Sequence, residues 1–367
     1  MHLAFIDIAR DYTADRPDKN EPLGGTNSAV CFLARELVKT GISCTLFNKI
    51  VEPAEAYGIE SLPLEALMEY RANPKYSAFI FCGRWVEWLV KLVREATHRP
   101  VLAWMHESAL DTPMTPALAA FDGIVFVSEW QSKINQSFVH ADWHQTVIRN
   151  AMNPQFAALF EKEEQTLSAK TKPPILLYAG ATPRGAFHLP PLLNVLRQLR
   201  KDFSMEIYCD CAPSSDPMAN ASYIDLLRSL PNISHVGMVG QSELAQKMRR
   251  ASLFVSPNPW PETSCIALIE AMAAGLSVIT TNRAALPETA SGFAQHIAID
   301  DPDNATRFDQ AIPYGEFAET ISQTMDNLSN KADEFEHKLR QQINYFNAHY
   351  QWSQRSQLWI DYIRSFG

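Results

Sequence analysis

Residues 257–275 read Pro-Asn-Pro-Trp-Pro-Glu-Thr-Ser-Cys-Ile-Ala-Leu-Ile-Glu-Ala-Met-Ala-Ala-Gly. A polar turn passes here into an apolar helix. An apolar strand, Leu253–Ser256, leads in, and another, Ser277–Thr281, follows. Strand, loop, helix start and strand in that order make an anion site in an α/β sheet, because the first amides of a helix lack partners within it. Thr263 or Ser264 is expected to cap the helix, leaving the amides near Cys265 and Ile266 turned outward. Glu262 precedes the helix and Glu270 is expected about two turns in. Carboxylates accept hydrogen bonds in pairs, as the vicinal hydroxyls of a sugar or ribose require.

Outward from this stretch the chain alternates short apolar runs with amphipathic ones. Strands are expected at Leu3–Ile8, Ser43–Phe47, Ala78–Phe81, Val101–Met105, Gly123–Val127 and Thr146–Ile148. Helices are expected between them, which makes a doubly wound α/β domain over residues 1–155. Residues 156–173 are rich in Glu, Lys, Gln, Ser and Thr, end at Pro173-Pro174, and are expected to be a linker. The alternation restarts at Ile175 and predicts a second doubly wound domain over 174–348. A final segment, 349–367, carries Trp352, Leu358, Trp359, Tyr362 and Ile363 at mostly helical spacing.

The 367 residues suffice for two domains, and 46% hydrophobic with 20% charged residues is ordinary for a globular protein. A net charge of −9 argues against nucleic acid as a partner. No apolar run is long enough to span a bilayer, and no basic amphipathic helix marks a peripheral membrane contact. The start, Met1–Ala9, reads as a first strand and not as a leader. The six cysteines include no CxxC pair, so zinc ribbons are unsupported, and buried free thiols fit the cytoplasm. Cys209 and Cys211 alternate along one strand and are expected to share a face. His140 and His144 lack a third ligand nearby and read as surface residues. Asp301-Pro302-Asp303 reads as a turn, so no metal site is expected.

Two other loops carry candidate chemistry. Gly24-Gly25 before a helix lets backbone approach a ligand closely, with Thr26 or Asn27 expected as cap. No G-x-G-x-x-G follows the first strand, which counts against a dehydrogenase. His106 ends the strand Val101–Met105, at the carboxyl edge where ligands of α/β sheets collect. Trp85, Trp88 and Trp104 are able to stack on sugars, although core packing is the commoner use of such rings.

The stretch 262–275, with Val278-Ile279-Thr280-Thr281 and Leu286-Pro287-Glu288 beyond it, resembles the E-x7-E signature of retaining GT-B glycosyltransferases, glycosyltransferase family 4. The resemblance implies two Rossmann-like domains facing a cleft, with a C-terminal helix crossing back to the first. It implies transfer of a sugar from a UDP- or GDP-sugar to a glycan, lipid-linked or small-molecule acceptor, with retention and without a metal. His106, Arg184 and Glu262 are the catalytic residues it implies. Gly24, Gly25, Thr26, Gly180, Thr263, Ser264, Cys265, Ile266 and Glu270 are the donor-binding ones. Two departures stand out. The loop Tyr178–Gly185 keeps Arg184 but lacks the family's first arginine, and Thr263-Ser264-Cys265 replaces the usual Gly-Phe-Gly. The same architecture serves nucleotide-sugar epimerases and non-catalytic binding subunits, and the missing cation keeps the latter reading open.

Overall fold

Continuous apolar runs such as Ala78–Cys82 and Val101–Met105 are buried at every position. Strands covered on both faces take this composition, and they belong to parallel sheets. The computed structural model describes residues 1–19, 21–107, 115–139, 143–181, 184–210, 217–307 and 310–367. In chain order its elements are β1 (His2–Ile6), α1 (Gly25–Lys39), β2 (Ser43–Asn48), β3 (Ala54–Ala56), β4 (Ile59–Pro63), α2 (Leu67–Tyr70), β5 (Ala78–Cys82), α3 (Glu87–Ala96), β6 (Val101–Met105), β7 (Gly123–Phe126), α4 (Glu129–Asn135) and β8 (His144–Val147). There follow β9 (Ile175–Ala179), α5 (Leu189–Leu199), β10 (Ser204–Tyr208), α6 (Pro217–Ser229), β11 (Ile233–His235), α7 (Gln241–Arg250), β12 (Leu253–Ser256), α8 (Ile266–Ala273), β13 (Ser277–Thr281), α9 (Leu286–Ala290), β14 (Gln295–Ile297), α10 (Tyr314–Asn330), α11 (Ala332–His349) and α12 (Trp352–Arg364).

The chain forms two units. Met1–Asn153 with Tyr350–Gly367 make the first, and Pro154–His349 the second. In the first, the sheet order is β3-β4-β2-β1-β5-β6-β7-β8, parallel except where β3 meets β4. Its core joins Phe79, Phe81, Trp85 and Phe121 with the apolar face of α3. The last helix belongs to this unit. α12 packs on α1 and buries Trp352, Trp359, Ile360 and Ile363. In the second unit, the order is β11-β10-β9-β12-β13-β14, with every pair parallel. Its core joins Leu176, Leu192, Leu196, Ile207 and Val255 with α10.

Residues 156–173, expected as a linker, lie within the second unit. Their polar side chains and amides serve as anchors. The Thr166 and Leu167 amides donate to Glu336 at 2.7 and 2.8 Å, and Arg340 donates to the carbonyls of Glu161, Lys162 and Glu164. Lys170 Nζ donates to Arg249 O at 2.9 Å and Ala274 O at 3.0 Å, closing the last turns of α7 and α8. The amine meets the negative ends of two helix dipoles, while burial and then the Arg249 charge lower its pKa to about 7.

Candidate functional site

In each sheet the strand order reverses once between parallel neighbours, and ligands of α/β folds collect at the carboxyl ends of the two strands involved. In the second unit those strands are β9 and β12. The loop after β9 carries Arg184, and the loop after β12 carries Glu262.

These two residues meet. Arg184 Nη1 lies 3.1 Å from Glu262 Oε2 and 3.5 Å from Oε1. The Glu262 side chain is 4% exposed and that of Arg184 48%. Asn258 Nδ2 donates to Glu262 Oε1 at 3.1 Å, and Asn258 itself is buried. A carboxylate shut away from water needs such partners, since losing its hydration is otherwise costly. The backbone is fixed as well, with the Ala285 amide donating to Glu262 O at 3.0 Å. Behind the loop, fully buried Arg283 donates to Pro259 O at 3.0 Å, Asp301 O at 3.0 Å and Pro302 O at 2.9 Å. Its remaining nitrogen reaches the carbonyls of Asn304 and Arg307. Arg283 thus ties the Glu262 loop to residues 301–307, and Asp301-Pro302-Asp303 is the turn it holds.

The helix start differs from expectation. Neither Thr263 nor Ser264 caps α8. Cys265 occupies the N-cap at φ −69° and ψ 95°. The first turn of α8 thus begins at Ile266, where helix amides lack partners within the helix. Glu270 consequently stands one turn into the helix instead of two, and is 4% exposed. Thr263 is buried, while Ser264, Cys265 and Ile266 are half-buried. Burial first, and then the Glu262 charge, push the Cys265 thiol well up, so it remains a neutral thiol. α8 closes through Gly275 at φ +66°, with Gly275 N on Met272 O at 3.2 Å and Leu276 N on Ala271 O at 3.0 Å. Gln342 Nε2 adds bonds to Met272 O at 2.8 Å and Leu276 O at 3.0 Å. Gly180 donates its amide to Tyr208 O at 3.2 Å, and a β-carbon on it would lie 3.2 Å from Tyr178 Oη. Thr182 and Pro183 of the same loop lie outside the described residues.

In the first unit the order reverses between β1 and β5. The N-cap of α1 is Gly24, not Thr26 or Asn27, and Gly25 and Thr26 open the helix. Asn27 Nδ2 turns instead to Asp7 Oδ2 at 2.6 Å. Tyr12 Oη donates to the same oxygen at 2.9 Å, and the Ala9 amide donates to Oδ1 at 2.8 Å. Burial raises the Asp7 carboxyl above its usual range, against the pull of these bonds. Gly83, at φ +73°, leaves room for Thr26. A β-carbon there would sit 3.3 Å from Thr26 Cγ2.

His106 follows β6. Both of its ring nitrogens are enclosed, and its ring centroid lies 4.7 Å from that of Trp104. Burial lowers its pKa to about 4, opposed by the Trp104 backbone and the Asn150 side chain. Trp104 in turn meets Trp359 at 5.1 Å and Trp352 at 6.4 Å between centroids, so α12 backs the histidine through two indoles. Trp85 is buried and Trp88 is 64% exposed. Ser128 caps α4, accepting from Gln131 N at 3.1 Å.

The fold gathers Arg184, Glu262 and the α8 start in the second unit, and Gly24–Thr26 with Asp7 in the first. Asn258, Arg283 and Asp7 went unmarked in the sequence. Only Asp7, a carboxylate inside an apolar run, carried a visible signal. Cys31, Cys44, Cys82, Cys209 and Cys265 are free thiols, while Cys211 and His140 lie outside the described residues. His144 lies in the edge strand β8. Among the described residues no helix is long and apolar enough to cross a membrane.

Residues 173–314, all in the second unit, match the family model described as glycosyl transferases group 1. No curated protein matches the chain by sequence. Solved structures match it nearly end to end. Sucrose-phosphate synthase (tll1590) from Thermosynechococcus elongatus aligns at TM-score 0.73 and 16% identity, covering 100% of this chain and 99% of that one. A glycosyltransferase from Rickettsia africae ESF-5 aligns at TM-score 0.74 and 14% identity, covering 99% and 98%. Anabaena Alr3699/HepE in complex with UDP and glucose aligns at TM-score 0.68 and 12% identity, covering 100% of both. Identities this low show shared fold alone. That fold is GT-B, with a glycosyl transferases group 1 match over the second unit.

Proposed function

We propose, for a chain of GT-B fold whose second unit matches the glycosyl transferases group 1 model, that it is a retaining glycosyltransferase using a nucleoside diphosphate sugar. The observation that carries this reading is the buried pair Glu262 and Glu270 on either side of the α8 start, with Arg184 bonded to Glu262. Glu270 takes the ribose hydroxyls and Glu262 a hydroxyl of the donor sugar. The backbone of Gly180 and residues Thr263, Ser264, Cys265 and Ile266 line the donor. Gly24, Gly25 and Thr26, in the first unit, are assigned as backbone that a substrate approaches closely. The Anabaena structure contains UDP and glucose, which favours a UDP-sugar over a GDP-sugar here.

In the reaction the bond from the anomeric carbon to the diphosphate oxygen breaks. A bond from the acceptor hydroxyl oxygen forms on the same face, and the acceptor proton passes to the departing phosphate. Charge develops on that phosphate, where Arg184 and the first amides of α8 stabilise it. A well-placed donor of this kind contributes about 3–4 kcal/mol. With these groups handling the charge, no metal is assigned a role, and EDTA is expected to leave the rate unchanged. His106, assigned to the reaction from the first unit, is neutral at physiological pH and acts there as an uncharged ring and not as a cation. A glycan, lipid-linked or small-molecule hydroxyl serves as acceptor, and the free thiols fit a cytoplasmic setting.

The test incubates the protein with UDP- and GDP-sugars and a panel of acceptors, and reads the product by proton NMR. A product of unchanged anomeric configuration is expected. Inversion, or donor isomerisation without an acceptor, contradicts the assignment.

A further inference from the structure

We propose that Asn258 is a positioning residue that fixes the Glu262 carboxylate, so that one oxygen stays held and the other is left for substrate. The inference rests on the function proposed above and assigns a task to a residue which that function did not use.

Asn258 follows β12 by two residues and is 1% exposed. Its polar groups are engaged on every side. Its amide donates to Ser256 O at 2.9 Å, and its carbonyl accepts from Thr281 Oγ1 at 2.6 Å. Its Oδ1 accepts from Trp260 N at 2.8 Å, and its Nδ2 donates to Glu262 Oε1 at 3.1 Å. The side chain therefore bridges the loop backbone and the carboxylate, and its own orientation is fixed by the Trp260 bond. The two carboxylate oxygens are treated unequally. Oε1 is bonded to a buried, immobile amide. Oε2 faces Arg184, whose side chain is half in solvent. A hydroxyl of the donor sugar thus meets Oε2, while Asn258 keeps the carboxylate plane from turning.

The side-chain type follows from this geometry. The amide accepts from Trp260 N through one atom and donates to Glu262 through another, which a carboxylate cannot do. An aspartate keeps the first bond and turns the second into a contact between two carboxylates. At that distance the two negative charges repel each other, and the pair takes up a shared proton as pH falls. Arg184, Cys265 and Tyr178 are the other titratable groups around this carboxylate.

The experiment compares wild type, Asn258→Ala and Asn258→Asp for kcat, KM and pH profile, using the UDP- and GDP-sugar panel. For Asn258→Ala, kcat is expected to fall about 100-fold at all pH values, with KM changed by about threefold or less. For Asn258→Asp, activity is expected to recover as pH falls, unlike wild type, because protonating the pair restores a donor. If Asn258→Ala does not fold, the pH profile of Asn258→Asp decides. Equal kcat in Asn258→Ala, or an Asn258→Asp profile parallel to wild type, overturns the role of Asn258 alone. Absence of turnover by wild type across the panel overturns the function it rests on, and the role with it.

Discussion

Arg184 and Glu262 bond to each other at 3.1 Å across the point where the strand order of the second sheet reverses. One partner is almost fully buried and the other half exposed, so the pair is unequal in what each residue contributes. Glu262 keeps Asn258 when the arginine is removed. Arg184→Ala leaves the buried carboxylate with that one partner and is expected to cost about 1–3 kcal/mol in folding stability. Loss of its charge at the leaving group is expected to lower donor turnover about 100- to 1,000-fold. Thermal melting and kcat, measured on the same preparation, check both. A variant with normal turnover contradicts the role of Arg184.

Gly275 ends α8 in the left-handed region, at φ +66°. A β-carbon there would lie 2.7 Å from Thr166 Cγ2 and 2.9 Å from Ile343 Cδ1. Gly275→Ala therefore combines backbone strain with overpacking and is expected to destabilise by about 2–4 kcal/mol. Urea denaturation measures this, and an unshifted midpoint contradicts it.

His106 has a folded-state pKa of about 4 against an ordinary 6.5. Between these values the unfolded chain takes up a proton that the folded protein refuses. Stability contributed by the neutral imidazole is thus complete above about pH 6.5 and falls as pH drops toward 4, by up to about 1.4 kcal/mol per unit. Wild type is expected to lose about 2 kcal/mol more than His106→Gln between pH 7 and pH 5. Parallel losses in the two proteins would place the histidine in a solvated setting.

The buried parallel strands were legible because burial on both faces demands unbroken apolar runs, as at Ala78–Cys82 and Val101–Met105. β3, β4 and β14 were not, since Ala-Glu-Ala, Ile-Glu-Ser-Leu-Pro and Gln-His-Ile mix polar residues near sheet edges. The E-x7-E stretch pointed to the α8 region, but the cap was misplaced. Local preference favoured Thr263 or Ser264, whereas a tertiary bond from Ala285 N holds the Glu262 carbonyl and the helix begins later. Asn258 and Arg283 escaped for a related reason. Apart from Glu262 and the Thr281 hydroxyl, their acceptors and donors are backbone groups, several of them far along the chain, which no spacing rule reveals.

The most direct test of nucleoside diphosphate sugar binding is calorimetric titration of wild type and Glu270→Ala with UDP, GDP and their glucose conjugates. Glu270 is buried one turn into α8 and is assigned the ribose hydroxyls. Its two charge-assisted hydrogen bonds are worth about 1.5–3 kcal/mol each. Wild type is expected to bind at least one of these ligands, and Glu270→Ala to bind it tenfold or more weakly with an unchanged melting temperature. Equal affinity in the two proteins, or no binding of any of the four ligands by wild type, contradicts the assignment.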